Sequence, residues 1–396
     1  MARSLENPLL ALTLSTGITI TGAAEIPFSK QILSAEYFCD GANTGDFNRD
    51  GTIDIVAGPY WYAGPGFQEK RAFYEPVPWP PEASPSNSMF SYVWDFDGDG
   101  WDDILVLGRV HLHAAAWYRN PQGASGLWEK HTAFPRVRGE SPPFVDVDQD
   151  GRPELVAHWD NRWGLIQPNW DAPTELWTFH PISEPGEWKQ FYHGTGVGDL
   201  TGDGRPDIVI NDGYWEQPGD KFETIWTWRP FLFGENGGAQ MGIFDIDGDG
   251  DADVVTALNA HLWGLSWFEN IGLDQKKPFI EHKIMGNRQD ESMYGVAFSQ
   301  PHALDFADIN GDGLLDVVTG KRLWAHGPTG DVEPNGTPVN YWFELQRNPD
   351  GARFIPHLID NQSGLGVQVI ARDVTGDNRP DVVAASKLGT FLFRQE

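Results

Sequence analysis

Cysteine is nearly absent: Cys39 is the only one in 396 residues. A single thiol excludes an internal disulfide and a cysteine-built metal cluster. Cys39 reads as a small buried residue rather than a nucleophile. Positive charge is also scarce. Lys and Arg number 28 against 57 Asp and Glu, a formal net charge of −29. That balance argues against nucleic acid and against an anionic membrane surface as partners. No apolar run is long enough for a good membrane span, and no amphipathic helical pattern of useful length is found.

What is present is one short acidic stretch, written seven times. Its cleanest copy is Asp245-Ile-Asp247-Gly-Asp249-Gly-Asp-Ala-Asp253, with oxygen side chains at positions one, three, five and nine and a glycine at six. The frame recurs at Asp46, Asn48, Asp50 and Asp54, at Asp95, Asp97, Asp99 and Asp103, and at Asp146, Asp148, Asp150 and Glu154. It recurs again at Asp199, Thr201, Asp203 and Asp207, at Asp308, Asn310, Asp312 and Asp316, and at Asp373, Thr375, Asp377 and Asp381. Hard oxygens converging on one point suit calcium, and the frame predicts several bound Ca²⁺ ions. It is not an EF-hand, which needs a bidentate Glu at position twelve and flanking helices. One copy would pass as an ordinary Asp/Gly turn; seven in register do not. The frames hold 24 of the 57 acidic residues, so seven divalent ions would roughly halve the net charge.

Residues 1–24 differ from the rest. Arg3 precedes an apolar stretch, and the segment ends in Gly22-Ala23-Ala24. This reads as a signal peptide, the bland alternative being a disordered leader. With calcium abundant outside cells, the expected location is secreted or periplasmic.

From residue 25 onward each unit follows one grammar. An apolar segment enters the acidic loop and a β-branched strand such as Asp54–Ala57 or Asp381–Ala384 leaves it. A third strand carries aromatics (Trp117-Tyr118, Trp267-Phe268), and a fourth is short and alternating (Phe279–Ile284). Four strands per unit, at loop spacings of 46 to 65 residues, predict an all-β, seven-bladed β-propeller over 25–396. The last unit has only three strands, and Phe28–Leu33 resembles a fourth strand. The N-terminal strand is therefore expected to complete the last blade and leave no open edge. In this topology the loops joining first and second strands all lie on one face.

The opposite face then collects a different chemistry. Four of the eleven histidines, His131, His180, His282 and His357, sit at matching places in fourth strands, which suggests a structural role. The other seven map to the face opposite the acidic loops. His193 and His302 lie where inner strands begin; His111, His113, His158, His261 and His326 follow second strands. Arg109, Arg162, Lys321, Arg322, Tyr192, Tyr294 and Gln240 join them, as do Trp159, Trp163, Trp215, Trp263 and Trp324. Two chemistries suit such a pocket. Neutral imidazoles hold Zn²⁺ or another divalent metal, and His111 and His113, projecting from one side of a strand, form a candidate set with His158. Alternatively His193, His261, His302 or His326, with Tyr294, serve as acid and base while Lys321 and Arg322 stabilise an enolate. The tryptophans, with Arg109, Arg162, Tyr192 and Gln240, are candidate contacts to a carbohydrate or sugar-derived ligand. The competing reading of the aromatics is blade packing.

The repeated loop resembles the FG-GAP/VCBS repeat family of calcium-binding β-propellers. More narrowly, Gly45-Asp-Phe-Asn-Arg-Asp-Gly51, Gly58-Pro-Tyr-Trp-Tyr62, Gly194-Thr-Gly-Val-Gly-Asp199, Gly238-Ala-Gln240, Tyr294-Gly-Val-Ala-Phe-Ser-Gln300 and Gly320-Lys-Arg-Leu-Trp-Ala-His326 look like exported bacterial VCBS proteins. The chain is more distantly similar to the propeller part of aldos-2-ulose dehydratase and to propeller-type rhamnose–glucuronate lyases. The resemblance implies elimination across a keto-sugar or uronate ring. The cupin domains of the dehydratase have no counterpart here. A non-catalytic propeller that binds a glycan or a protein is the alternative.

Overall fold

The computed structural model describes residues 25–83, 85–108, 114–220, 222, 225–349 and 351–396. The leader at 1–24 lies outside them. The strands form seven four-stranded antiparallel sheets, six of them running in chain order from the inner strand outward. Blade 1 spans Ala42–Gly45 to Lys70–Ala72, and blade 2 Phe90–Trp94 to Glu129–Phe134. Blades 3 and 4 follow from Phe144–Val145 and Thr195–Gly198 to Thr178–Pro181 and Thr227–Pro230. Blade 5 runs from Gly242–Phe244 to Phe279–Met285, and blade 6 from Pro301–Ala307 to Gly351–Asp360. Blade 7 contributes Val369–Arg372, Asp381–Ser386 and Gly389–Gln395, and its outer strand is Phe28–Ser34. Phe28 pairs with Gln395 and Ile32 with Phe391, so the N-terminal strand closes the ring as expected. Among the described residues the helix is confined to Glu291–Tyr294.

The packing explains why the second strands read as continuous apolar runs. Each sheet is covered on both faces by its neighbours, so both faces of a strand are buried. Seven hydrophobic clusters fill the seven gaps between adjacent blades. Asp54–Ala57, Asp103–Leu107 and Asp253–Ala257 are buried at every position. Polar side chains tie the inner strands together around the axis. Gln368 of blade 7 accepts from the Ser91 N–H and donates to the Ser91 carbonyl of blade 2 (3.0 and 3.1 Å). Asp305 of blade 6 accepts the Ala371 N–H of blade 7 at 2.7 Å.

The outer strands have their own device. The rings of His282 and Trp267 stack with centroids 4.3 Å apart, His357 and Trp342 do the same at 4.3 Å, and His131 and Trp117 at 4.6 Å. Each pair is directly opposite across third and fourth strands. His282 and His357 also meet Glu269 and Glu344, at 2.6 and 2.9 Å. His180 meets Gln167 at 3.1 Å and packs on Phe222. These four histidines are blade fasteners, as their matching positions implied.

The acidic loops join first to second strands in all seven blades and so share one face. Position six takes a left-handed conformation throughout. It is Gly51, Gly100, Gly151, Gly204, Gly250 and Gly313 in six loops, but Asn378 (φ 64°) in the seventh. Asparagine is the side chain that best tolerates that region. The ninth acid has a role the pattern did not announce. In six loops its two carboxylate oxygens each accept a backbone N–H, one from the start of the loop and one from the end of the third strand. Asp54 takes Phe47 and Gly64 (2.9 and 2.8 Å), and Asp253 takes Ile246 and Asn270 (both 2.8 Å). In six loops the first carboxylate accepts the N–H groups of positions five and six, as Asp95 does from Asp99 and Gly100 (3.0 and 2.8 Å), whereas in blade 5 Asp245 accepts the Gly248 N–H of position four at 2.6 Å.

Candidate functional site

At the other end of the inner strands, three blades deliver three imidazoles to one point. His193 lies just before the inner strand of blade 4, where Gly194 (φ 86°) turns the chain and donates its N–H to Ser141 Oγ. His261 sits in the turn after the second strand of blade 5; its N–H is fixed by Asn259 Oδ1 at 3.0 Å. His302 is the second residue of the inner strand of blade 6. Ring centroids are 5.1 Å apart for His193 and His261, 5.5 Å for His193 and His302, and 4.8 Å for His261 and His302. Gln300 (φ 63°) organises the junction: its N–H bonds the Leu262 carbonyl, and its own carbonyl accepts from Arg322 N–H and faces His302 Nδ1 at 3.3 Å.

His326 extends the cluster outward. Its ring stacks on His261 at 4.5 Å. Asp331 Oδ1 lies 2.9 Å from His326 Nδ1 and 3.3 Å from His261 Nδ1. His193 and His302 are 6% and 1% exposed, whereas the side chain of His326 is 63% exposed. Burial first, then the nearby Arg322 charge, pushes His193 down to about 3 and His302 well below the ordinary histidine value. Burial and the neighbouring His193 push His261 down to about 4. The buried rings are therefore neutral at physiological pH.

His193, His261 and His326 line a cavity of about 810 Å³ together with Arg322, Glu140, Lys189, Asn236, Asn259 and Phe191. Arg322 is 2% exposed; one Nη stands 3.5 Å from Asp40 Oδ1 and its Nε has no partner. Asp40 is already committed to Tyr37 Oη (2.7 Å) and the Ser86 hydroxyl (2.8 Å). Arg322 thus presents an incompletely satisfied guanidinium to the pocket. Glu140 Oε2 lies 3.6 Å from His193 Nε2. Sequence reasoning missed Glu140 and Asp40. Both precede inner strands, the rule that singled out His193 and His302, and applying it to acids would have found them.

Several expected contacts lie elsewhere. Trp163, Trp215 and Tyr192 are core residues between blades 3 and 4, and Trp159 packs between blades 2 and 3. Tyr192 Oη donates to Asp212 at 2.7 Å, and Arg162 donates to the Ser183 carbonyl. Gln240 spends both ends of its amide on the Val367 carbonyl and the Leu304 N–H, each at 2.9 Å, tying blades near the axis. Trp324 donates to Asn335 Oδ1 at 2.8 Å and does not line the pocket. Lys321 points to the other side of its strand from Arg322, and its Nζ donates to Ser299 Oγ at 2.8 Å. Burial pushes that amine down to about 8. Tyr294 ends the short helix and lines a separate outer cavity with Trp267 and His282. Trp263 lines an adjoining cavity of about 460 Å³ that shares Asn259 and Leu262 with the histidine pocket, under the Arg288 guanidinium. His158 is buried away from the trio, beside Trp163 and Arg138. A guanidinium next to it opposes a cation. Arg109, His111 and His113 lie outside the described residues.

Comparison with known proteins adds the architecture's relatives. Residues 95–157 and 245–319 match the model of the FG-GAP-like repeat. A search of curated proteins finds no match. Among solved structures, the BP39L lectin from Burkholderia pseudomallei is similar with a TM-score of 0.50 at 16% identity, covering 94% of this chain and 96% of that one. A lectin from Agrocybe aegerita that recognises non-reducing terminal N-acetylglucosamine gives 0.48 at 18%, covering 85% and 82%. The exotype rhamnogalacturonan lyase YesX gives 0.47 at 12%, covering 94% of this chain and 75% of that one. These likenesses concern the fold. The chain is a seven-bladed β-propeller carrying FG-GAP-like repeats.

Proposed function

We propose that the histidine pocket is the active site of an exported carbohydrate lyase or dehydratase, with a sugar acid or keto-sugar as substrate. The observation that carries this is the pairing of His326 with Asp331 at the pocket mouth, with Arg322 within the same cavity. Asp331 holds the Nδ1 hydrogen of His326, which leaves Nε2 as the proton acceptor. Arg322, short of hydrogen-bond acceptors, binds the substrate carboxylate or carbonyl oxygen and stabilises the negative charge that develops there. His326 removes the proton on the carbon next to that group. The carbon–oxygen bond one carbon further on breaks, a double bond forms between the two carbons, and the leaving oxygen takes up a proton. Glu140 and Lys189 line the same cavity and are placed to supply it. A lining of charged and amide groups also suits a polyhydroxylated ligand better than an apolar one.

The seven acidic loops are proposed to hold calcium on the opposite face. Their donors are all oxygens, and in the loops of blades 2, 3 and 5 three carboxylate oxygens come within 4.8 Å of one another. Calcium there stiffens the blades and takes no part in the chemistry.

The experiment is incubation of the purified protein with uronide oligosaccharides and keto-sugars, following the ultraviolet absorbance of the unsaturated product. Turnover lost in His326→Ala and in Arg322→Met, with melting temperature held, supports the reading. Wild-type protein that forms no unsaturated product from either class overturns it. The same protein binding those sugars unchanged would instead favour the non-catalytic glycan-binding alternative.

A further inference from the structure

We propose that His193, His261 and His302 are the ligands of one divalent transition-metal ion at the inner-strand ends opposite the acidic loops, with Glu140, Asp331 and the Gln300 carbonyl beside their rings. One nitrogen from each ring lies within 4.8 Å of the other two. Ligand nitrogens around a single zinc ion stand about 3.4 Å apart for bonds of about 2.1 Å, so small ring rotations close the site. The three residues come from three different blades, whose inner ends are bonded to one another. Thr195 pairs with Gln240, Gly237 with Asn259, and the Gln300 N–H bonds Leu262. The frame that would hold the ion therefore belongs to the propeller itself.

The hydrogen bonding has the pattern of a ligand set. In metal sites each histidine gives one nitrogen to the ion and the other N–H to a carboxylate or carbonyl. Here His302 Nδ1 faces the Gln300 carbonyl at 3.3 Å, and its Nε2 is buried with no partner. His193 Nε2 faces Glu140 at 3.6 Å, and its Nδ1 is buried with no partner. His261 Nδ1 stands 3.3 Å from Asp331 Oδ1, an oxygen already taken by His326 Nδ1 at 2.9 Å, and is a third buried ring nitrogen with no hydrogen-bond partner. Buried imidazole nitrogens without partners are costly, and a shared cation satisfies them together.

Charge balance permits it. Arg322 opposes a cation, but Asp40 stands against it at 3.5 Å. Glu140 and Asp331 then add two carboxylates around the three neutral rings. An all-imidazole set selects zinc, cobalt or nickel over calcium and magnesium, which require oxygen. The molecule thus separates two metal chemistries, oxygen loops on one face and a nitrogen site on the other. Three protein ligands leave a coordination position open toward the cavity of about 810 Å³. The assignment does not require the lyase reading.

The test is direct binding. Untagged full-length protein is stripped with a chelator, restored with excess calcium and titrated with Co²⁺. One equivalent should bind with visible d–d absorption of a nitrogen-ligated ion. His193→Ala and His302→Ala should abolish those bands, Asp331→Asn should weaken affinity by about 10–100-fold, and His180→Ala on the outer strand should bind as wild type does. Wild-type protein showing no cobalt bands overturns the proposal, as do folded His193 and His302 variants that bind like wild type. Should the alanine variants lose their near-ultraviolet circular dichroism, the wild-type spectrum decides. Cobalt bound by protein that eliminates no sugar leaves the metal site standing and removes the lyase reading alone.

Discussion

Pro168 stands where six other blades place a backbone N–H on the ninth residue of the acidic loop, and Glu154 Oε1 is left buried without a donor. The register is unambiguous. Leu155 pairs with Ile166, which puts Pro168 in the place held by Asn120 in blade 2 and Asn270 in blade 5. Glu154 keeps its bond from the Val147 N–H at 3.1 Å. Burial, with Asp148, Asp150 and Asp146 close by, pushes its carboxyl up to about 8. A carboxylate oxygen facing two other acids with no proton donor is best satisfied by a cation. The blade 3 loop should therefore depend on its ninth acid for calcium more than its relatives do. Glu154→Gln is expected to bind one calcium fewer by elemental analysis, while Asp54→Asn mainly loses backbone bonds, costing about 1–3 kcal/mol in stability. An unchanged calcium count in Glu154→Gln contradicts this.

Calcium removal should be felt by the whole ring. An ion that binds only the folded loop adds about 2.7 kcal/mol at a hundred times its dissociation constant, and seven loops sit at the starts of seven second strands. A calcium-selective chelator is expected to lower the melting temperature, with recovery on adding calcium back. Melting curves that superimpose with and without chelator mean the loops are self-sufficient turns. That outcome is physically credible for the first carboxylates, since each already takes N–H groups from its own loop, as Asp308 does from Asp312 and Gly313.

The sequence made the ring and its faces legible because period and topology are global. Seven acidic frames gave the blade count, a last unit of only three strands required a strand from the N-terminus, and antiparallel order sent His193, His261, His302 and His326 to one end. The aromatic contacts were not legible. In the second and third strands of these blades both faces are buried, so the alternation that separates core from surface elsewhere gives no signal, and Trp163 or Trp215 reads the same in a core as in a binding wall. Lys321 and Arg322 show the finer limit. They are adjacent in sequence, but successive side chains point to opposite sides of a strand, and only Arg322 reaches the cavity. Asp40 and Glu140 were hidden because acids had been ascribed to the calcium face.

Two histidines can be set against each other to separate fold from function. His282 stacks on Trp267 at 4.3 Å and meets Glu269 at 2.6 Å, far from the pocket. An aromatic stack of this kind is worth about 0.5–1.5 kcal/mol. His282→Ala should lower stability by about that amount and leave turnover unchanged. A double-mutant cycle with Trp267→Leu should show coupling between the two, since each removes the same contact. The reverse is expected of His326→Ala. Equal effects of both substitutions on turnover would mean that the outer stack transmits to the site.

Asp305 offers a pH test of the ring's seam. Its carboxylate accepts the Ala371 N–H between the inner strands of blades 6 and 7 at 2.7 Å. Burial pushes it up to about 6, and the backbone bonds and Arg372 offset that only in part. A carboxyl whose folded value is raised binds its proton more tightly in the folded state. Below about pH 4 both states are protonated and the group costs nothing. Between about pH 4 and 6 the unfolded chain loses its proton first, so stability falls as pH rises, and above about 6 the whole cost is present. Asp305→Asn keeps an oxygen for the Ala371 N–H and removes the charge. Its stability relative to wild type should therefore climb from pH 4 to pH 7, by up to about 2 kcal/mol after allowing for partial solvent contact. Chemical denaturation at fixed calcium across that range measures the difference directly. A difference independent of pH would mean that Asp305 titrates normally and that the Ala371 bond alone accounts for its presence at the seam.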